Sequence, residues 1–181
     1  MDALVRAEVA LDDLDLAAER FCVTFSRVYG LETVALRYFN VFGPRQDPTS
    51  QYAAVVPRFI EAIGSGRPVT VHGDGGQSRD FTFVENVVAA NLLAAETTGA
   101  DGHVLNIATG GSETVNALAE TIGRLLGRPV EKTYGPAQPG DVRESWADVT
   151  AARDTIGYET TVTFEEGLQR TIEAMSSPEG A

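Results

Sequence analysis

Apolar and polar residues alternate along this chain with two periods, one near 3.6 and one near 2, that trade places from one end to the other. Leu14, Ala17, Ala18, Phe21, Cys22, Phe25 and Val28 recur three and four residues apart. That spacing predicts one helix from about Asp13 to Tyr29, stopped by Gly30. Thr33 to Phe39 (TVALRYF) is mostly apolar and rich in β-formers, which predicts a strand. Ala53 to Gly66 reads as a helix with Pro57 in its first turn and a stop at Gly64. Pro68 to Gly75 (PVTVHGDG) is a short strand ending in a glycine turn, and Arg79 to Phe83 is a short extended piece.

The second half repeats the alternation. Val84 to Thr98 fits a helical period, and His103 to Gly111 is a strand ending in a Gly-Gly pair. Thr114 can cap a helix that ends at Gly127, before Pro129. Val130 to Gly135 is a strand, and Pro136 to Ser145 a loop rich in Pro and Gly. Helices from about Val149 to Ile156 and Phe164 to Met175 follow, and residues 176–181 are expected to fray. Alternation of this kind predicts an α/β fold with a largely parallel sheet. A doubly wound sheet usually opens with a strand and a Gly-rich turn, whereas this pattern opens with a helix.

Composition narrows the chemistry. The 181 residues suffice for one packed domain, with 43% apolar and 22% charged residues. No apolar run is long enough to cross a membrane, and the single cysteine, Cys22, suits a reducing cytoplasm. The formal charge of −12, from 26 acids against 14 bases, argues against nucleic acid as a partner. Lys132 is the only lysine. Acid-rich, lysine-poor usage fits either a surface kept soluble in high salt or GC-rich coding.

Three loops at strand ends carry candidate binding groups. An Asn such as Asn40 can donate to a phosphate or sugar oxygen and accept from a hydroxyl, or it can satisfy only its own turn. Val71-His72-Gly73 leaves backbone groups free beside further glycines, where a planar ligand can approach closely. Arg79 and Arg143 suit a diphosphate, because a guanidinium binds two oxygens at once. The alternative for Arg79 is a surface pair with Asp74 or Asp80. Neither His72 nor His103 has ligands at zinc-site spacing, and no nucleophile elbow or phosphate loop occurs.

The stretches ETVALRYFNVFGPRQDP, VVPRFIEAIGSGRPVTVHGDGGQSRDFTFVENVVAA, VLNIATG, YGPAQPGDVRESWAD and FEEGLQRTIE follow one another as they do in the NAD-dependent sugar-nucleotide epimerases and dehydratases. The chain resembles the C-terminal half of such an extended short-chain dehydrogenase/reductase, most closely the UDP-glucose 4-epimerase-like members. The resemblance implies a partial Rossmann-type parallel sheet with the small sugar-nucleotide-binding lobe over residues 14–175, after a segment, 1–13, that matches nothing in the family. It implies that Asn40 and Arg79 hold the diphosphate of a nucleotide sugar, with UDP or dTDP as nucleotide, and that Arg143 lies in the loop supplying a second arginine. It places Val55 and Val56 along the nucleotide, Val71, His72 and Gly73 at base and ribose, and Phe39 beside the nicotinamide of NAD. Arg45 is expected to brace its loop.

The family's chemistry also needs an NAD-binding Gly-rich turn and a Tyr-x-x-x-Lys pair, in which the tyrosinate takes a hydroxyl proton as hydride leaves for NAD. The sequence contains neither. In the family the Lys directly precedes LAAE; here LAAE begins at Leu16, so Asp15 stands at the Lys position and Leu11 at the Tyr position. An acid there would raise a tyrosine's pKa, and leucine accepts no proton. The expectation is a truncated or decayed family member, a shifted reading frame, or a half that needs a separately encoded N-terminal chain or a second copy of itself. By itself it is expected to be inactive and not to hold NAD tightly; a remnant that binds no ligand is the competing reading.

Overall fold

The computed structural model describes residues 13–46 and 55–176. Helix α1 (Asp13–Tyr29) leads into β1 (Ala35–Tyr38), as the apolar period predicts. A two-residue strand, β2 (Val41–Phe42), follows at once. Then come α2 (Val55–Gly64), β3 (Val69–His72), β4 (Ser78–Arg79), β5 (Thr82–Phe83) and α3 (Val84–Glu96). The remainder runs β6 (Val104–Ile107), β7 (Glu113–Thr114), α4 (Val115–Leu126), β8 (Lys132–Gly135), β9 (Glu144–Ser145), α5 (Thr150–Ile156) and α6 (Phe164–Ser176). The long elements match the pattern to within a few residues. The short strands β2, β7 and β9 do not show in it, because two residues carry no period and pair only through contacts distant in sequence.

Strands pair mostly in parallel, as expected: β1 with β6, β2 with β5, β3 with β8, and β4 with β9. The exception is β7, antiparallel to β4. Pairs thirty to seventy residues apart are joined through helices, which is the only short route between parallel neighbours. The larger core gathers Phe42, Ile63, Val71, Phe83, Leu118, Ile122 and Leu168 between α2, α4, α6 and the strands they cover. A second core packs Leu105, Ile107, Ala90, Ile156 and Tyr158 between β6, α3 and α5. Thr114 caps α4 as predicted, its hydroxyl accepting from Ala117 N at 3.0 Å. Gly127, at φ 63°, closes the helix. In α6, a Cβ at Gly167 would lie 2.8 Å from the Phe83 ring, so that helix approaches β5 more closely than any side chain allows.

Asn86 ties the two cores together. It is fully buried in α3; its Nδ2 donates to Val162 O at 2.8 Å. Its Oδ1 accepts from Val162 N at 3.0 Å and from Thr161 N at 3.1 Å. One side chain thus satisfies the backbone of a whole turn ahead of α6. Asn86→Ala strands those buried groups, and urea denaturation is expected to show a loss of about 2–4 kcal/mol.

Candidate functional site

The strand ends that the sequence marks out do converge. A cavity of about 290 Å³ opens between the ends of β1, β3 and β4 and the first turns of α2. Val55, Val56, Phe59 and Phe81 supply its apolar wall. Asn40, Arg58, Thr70, His72, Gln77, Arg79, Gln138 and Asp141 supply its polar side. A cleft with an apolar wall facing convergent polar groups suits a ligand that has both an apolar and a charged part.

Five of the residues picked from the sequence line this cavity: Asn40, Val55, Val56, His72 and Arg79. Asn40 follows β1 at φ 35°, a left-handed conformation that asparagine tolerates better than most residues. Its Nδ2 donates to Asp80 O at 3.3 Å, and its own carbonyl accepts from Thr82 N at the same distance. Its Oδ1 makes no hydrogen bond among the described residues. His72 ends β3; its carbonyl accepts from Gln77 Nε2 at 2.7 Å, while its buried Nδ1 has no partner among the described residues.

The others sit elsewhere. Val71 points into the larger core, and Gly73 turns the chain at φ 69° beside Ala137. Phe39 is 5% exposed and packed with Ala108 and Ala147, so little of its ring is open to a ligand. Leu11 lies outside the described residues. Asp15 falls within the first turn of α1. Arg45 takes φ 68° and makes no hydrogen bond among the described residues; the loop it is expected to brace runs on into residues 47–54, which lie outside them. Gln46 donates from Nε2 to Val41 O at 3.0 Å.

The arginines pair differently from the sequence expectation. Arg79 bonds neither Asp74 nor Asp80. Its Nη1 donates to Ser78 O at 2.7 Å and Val142 O at 2.6 Å, and its Nη2 to the Asp141 carboxylate. Arg143, 64% exposed, takes Asp74 at 2.6 Å and lies outside the cavity wall. Its guanidinium holds the Asp74 carboxyl below the usual carboxylate range, helped by the Gly76 N–H. Between them, Gly75 runs at φ 71°, and a Cβ there would meet the Asn116 amide at 2.5 Å.

Asp80 carries the floor. It is fully buried and has no salt bridge among the described residues. Its carboxylate accepts from Thr109 N at 2.9 Å, Thr109 Oγ1 at 2.6 Å and Gly110 N at 2.9 Å. Burial pushes its pKa up, and these donors pull against that rise. Sequence reading passed over Asp80, Gln138 and Asp141. Asp80 was visible only as a neighbour of Arg79, and nothing local distinguishes a buried aspartate from a surface one.

Known proteins resemble the chain along this arrangement. The model of the NAD dependent epimerase/dehydratase family matches residues 15–108. UDP-glucose 4-epimerase of Mycolicibacterium smegmatis is 35% identical over 87% of this chain and 50% of its own length. The crystal structure of a Thermotoga maritima UDP-glucose 4-epimerase with UDP-glucose superposes with a TM-score of 0.83 at 43% identity, covering 88% of this chain and 51% of that one. The Thermus thermophilus UDP-glucose 4-epimerase complex with NAD gives 0.80 at 32% identity, covering 90% and 52%. The chain spans about half the length of the curated relatives it matches.

The raised Asp80 pKa fixes the sign of a pH effect. The folded protein holds this proton more tightly than the unfolded chain does. The contribution is therefore fully present below the ordinary value near 3.8 and is lost as pH rises through the raised native value. Asp80→Asn faces Gly110 N–H with a donor and should lower stability by about 1–3 kcal/mol. Urea denaturation from about pH 4 to about pH 8 should show the deficit shrinking as pH rises, because only the wild type carries the penalty of ionising this group.

Proposed function

The chain belongs to the NAD dependent epimerase/dehydratase family, and from that premise we propose that its cavity holds the nucleotide and diphosphate of a UDP-sugar. The convergence of Asn40, His72 and Arg79 around one cleft, with Val55 and Val56 along its wall, carries this reading. Arg79 and the open Oδ1 of Asn40 meet phosphate and sugar oxygens, and the strand end at Val71 to Gly73 meets base and ribose. The loop holding Arg143 supplies a second cation. UDP is favoured as nucleotide because UDP-glucose is the ligand in the Thermotoga maritima relative.

The family's reaction is not expected of this chain by itself. The sequence has no Tyr-x-x-x-Lys pair and no Gly-rich dinucleotide turn, and Leu11 and Asp15 stand where the pair belongs. Phe39, which the resemblance places beside the nicotinamide, packs against Ala108 and Ala147. Without a base and an electron acceptor together, neither proton nor hydride can leave the sugar.

A second reading, a half completed by another chain, is favoured by the exposed face of α1. Phe21 is 65% and Tyr29 73% exposed, and with Phe25 they form an aromatic ladder. Beside it, β1 pairs only with β6 among the described residues. An apolar ladder next to an unpaired strand edge suits a missing layer of structure.

Calorimetry with UDP and UDP-glucose tests the binding reading. Affinity between about millimolar and tens of micromolar is expected, from two charge-assisted contacts offset by ordering costs. Arg79→Ala should weaken UDP at least severalfold at fixed salt. Equal UDP binding by the two proteins, or none by either at about ten millimolar, leaves the ligand-free remnant. The purified chain should give no epimerised or NADH-linked product above a no-enzyme control, and product from it would overturn the inactive reading.

A further inference from the structure

We propose that Asp141 controls occupancy of the diphosphate subsite: its carboxylate holds the Arg79 guanidinium when no ligand is present and must be displaced for a nucleoside diphosphate to bind. The inference rests on the reading of the cavity given above. Arg79 is 17% exposed, and its contacts are already taken by protein: Ser78 O, Val142 O and the Asp141 carboxylate. A guanidinium offers five N–H groups in a fixed fork, so an incoming diphosphate meets a fork already largely engaged. Asp141 also lines the same cavity. A phosphate beside Arg79 would therefore sit against a second anion in a half-enclosed space, where like charges repel far more strongly than in open water.

Two consecutive residues of one loop, Asp141 and Val142, grip the same arginine. That loop joins β8 to β9 and turns at Gly140, φ 82°. Releasing Asp141 removes the charged half of the grip and leaves the Val142 carbonyl as the loop's remaining bond to Arg79. Ligand entry and loop position are coupled through this one side chain. The neighbouring pair differs: Asp74 and Arg143 are 65% and 64% exposed, so water screens their attraction.

The test compares wild type with Asp141→Asn, which keeps the size of the side chain and removes its charge. Asp141→Ser serves as a second neutral variant in case the first does not fold. Glu165→Gln, at the exposed pair with Arg124 on the far side of α4, controls for the general loss of one negative charge. Each protein is titrated calorimetrically with UDP and with inorganic pyrophosphate at fixed low salt, and amide exchange over residues 138–143 is measured without ligand. Asp141→Asn should bind both ligands about tenfold more tightly, through relief of like-charge repulsion, and should exchange faster in the loop; Glu165→Gln should do neither. If the wild type binds UDP and the neutral variants bind it no better, the proposal is overturned while the UDP-sugar reading stands. It is also overturned if UDP tightens and pyrophosphate does not, since Asp141 would then act on the nucleoside. If no protein binds either ligand at about ten millimolar, the reading of the cavity fails, and this inference with it.

Discussion

Asp80 is a carboxylate sealed away from water without a cation, held by the Thr109 backbone and hydroxyl and the Gly110 N–H. A buried charge of this kind is tolerated only when hydrogen bonds replace the water it has lost. Because those donors lie just after β6, the carboxylate pins the end of that strand to the segment between β4 and β5. The carbonyl of the same residue accepts from Asn40, which pins the end of β1 as well. Residues on either side of Asp80 then face the cavity: Arg79 and Phe81 both line it. The geometry of the cleft is thus set by one side chain that does not enter it.

Around that anchor the charged groups are arranged as intramolecular pairs. Arg79 meets Asp141, Arg143 meets Asp74, and each pair joins two segments far apart in sequence. In a chain carrying a net charge of −12, Arg79 in the cleft and Arg143 beside it both have carboxylate partners. An anionic ligand here competes with the protein's own acids, and the half-buried pair resists that competition more than the exposed one.

Much of this was legible in the order of residues. The helices and the longer strands follow from period, caps and glycine stops: Thr114 and Gly127 bound α4 where local chemistry says they should. Asn40 and Arg79 stood out as an amide and a guanidinium able to meet phosphate oxygens, and His72 as part of a strand end with free backbone groups. The two-residue strands were not legible, since their pairing is specified by partners such as Glu113 and Glu144 across β4 and not by their own sequence. Nor was the burial of Phe39, whose ring lies against Ala108 and Ala147, residues from two other segments.

The sequence by itself determined the alternation of helix and strand and which strand ends bear polar groups, because these are properties of residues within one turn or one strand of each other, and it determined the family through the order of its motifs along the chain. It also determined that no Tyr-x-x-x-Lys and no Gly-rich dinucleotide turn is present. Only the tertiary structure decided which acid answers which arginine, that Asp80 is interior, and that Val71 faces the core while His72 faces the cleft. Pairing and burial depend on contacts between segments about thirty to seventy residues apart. Asp74, Asp80 and Asp141 are chemically identical until the fold gives one of them Arg143, one of them two backbone N–H groups, and one of them Arg79.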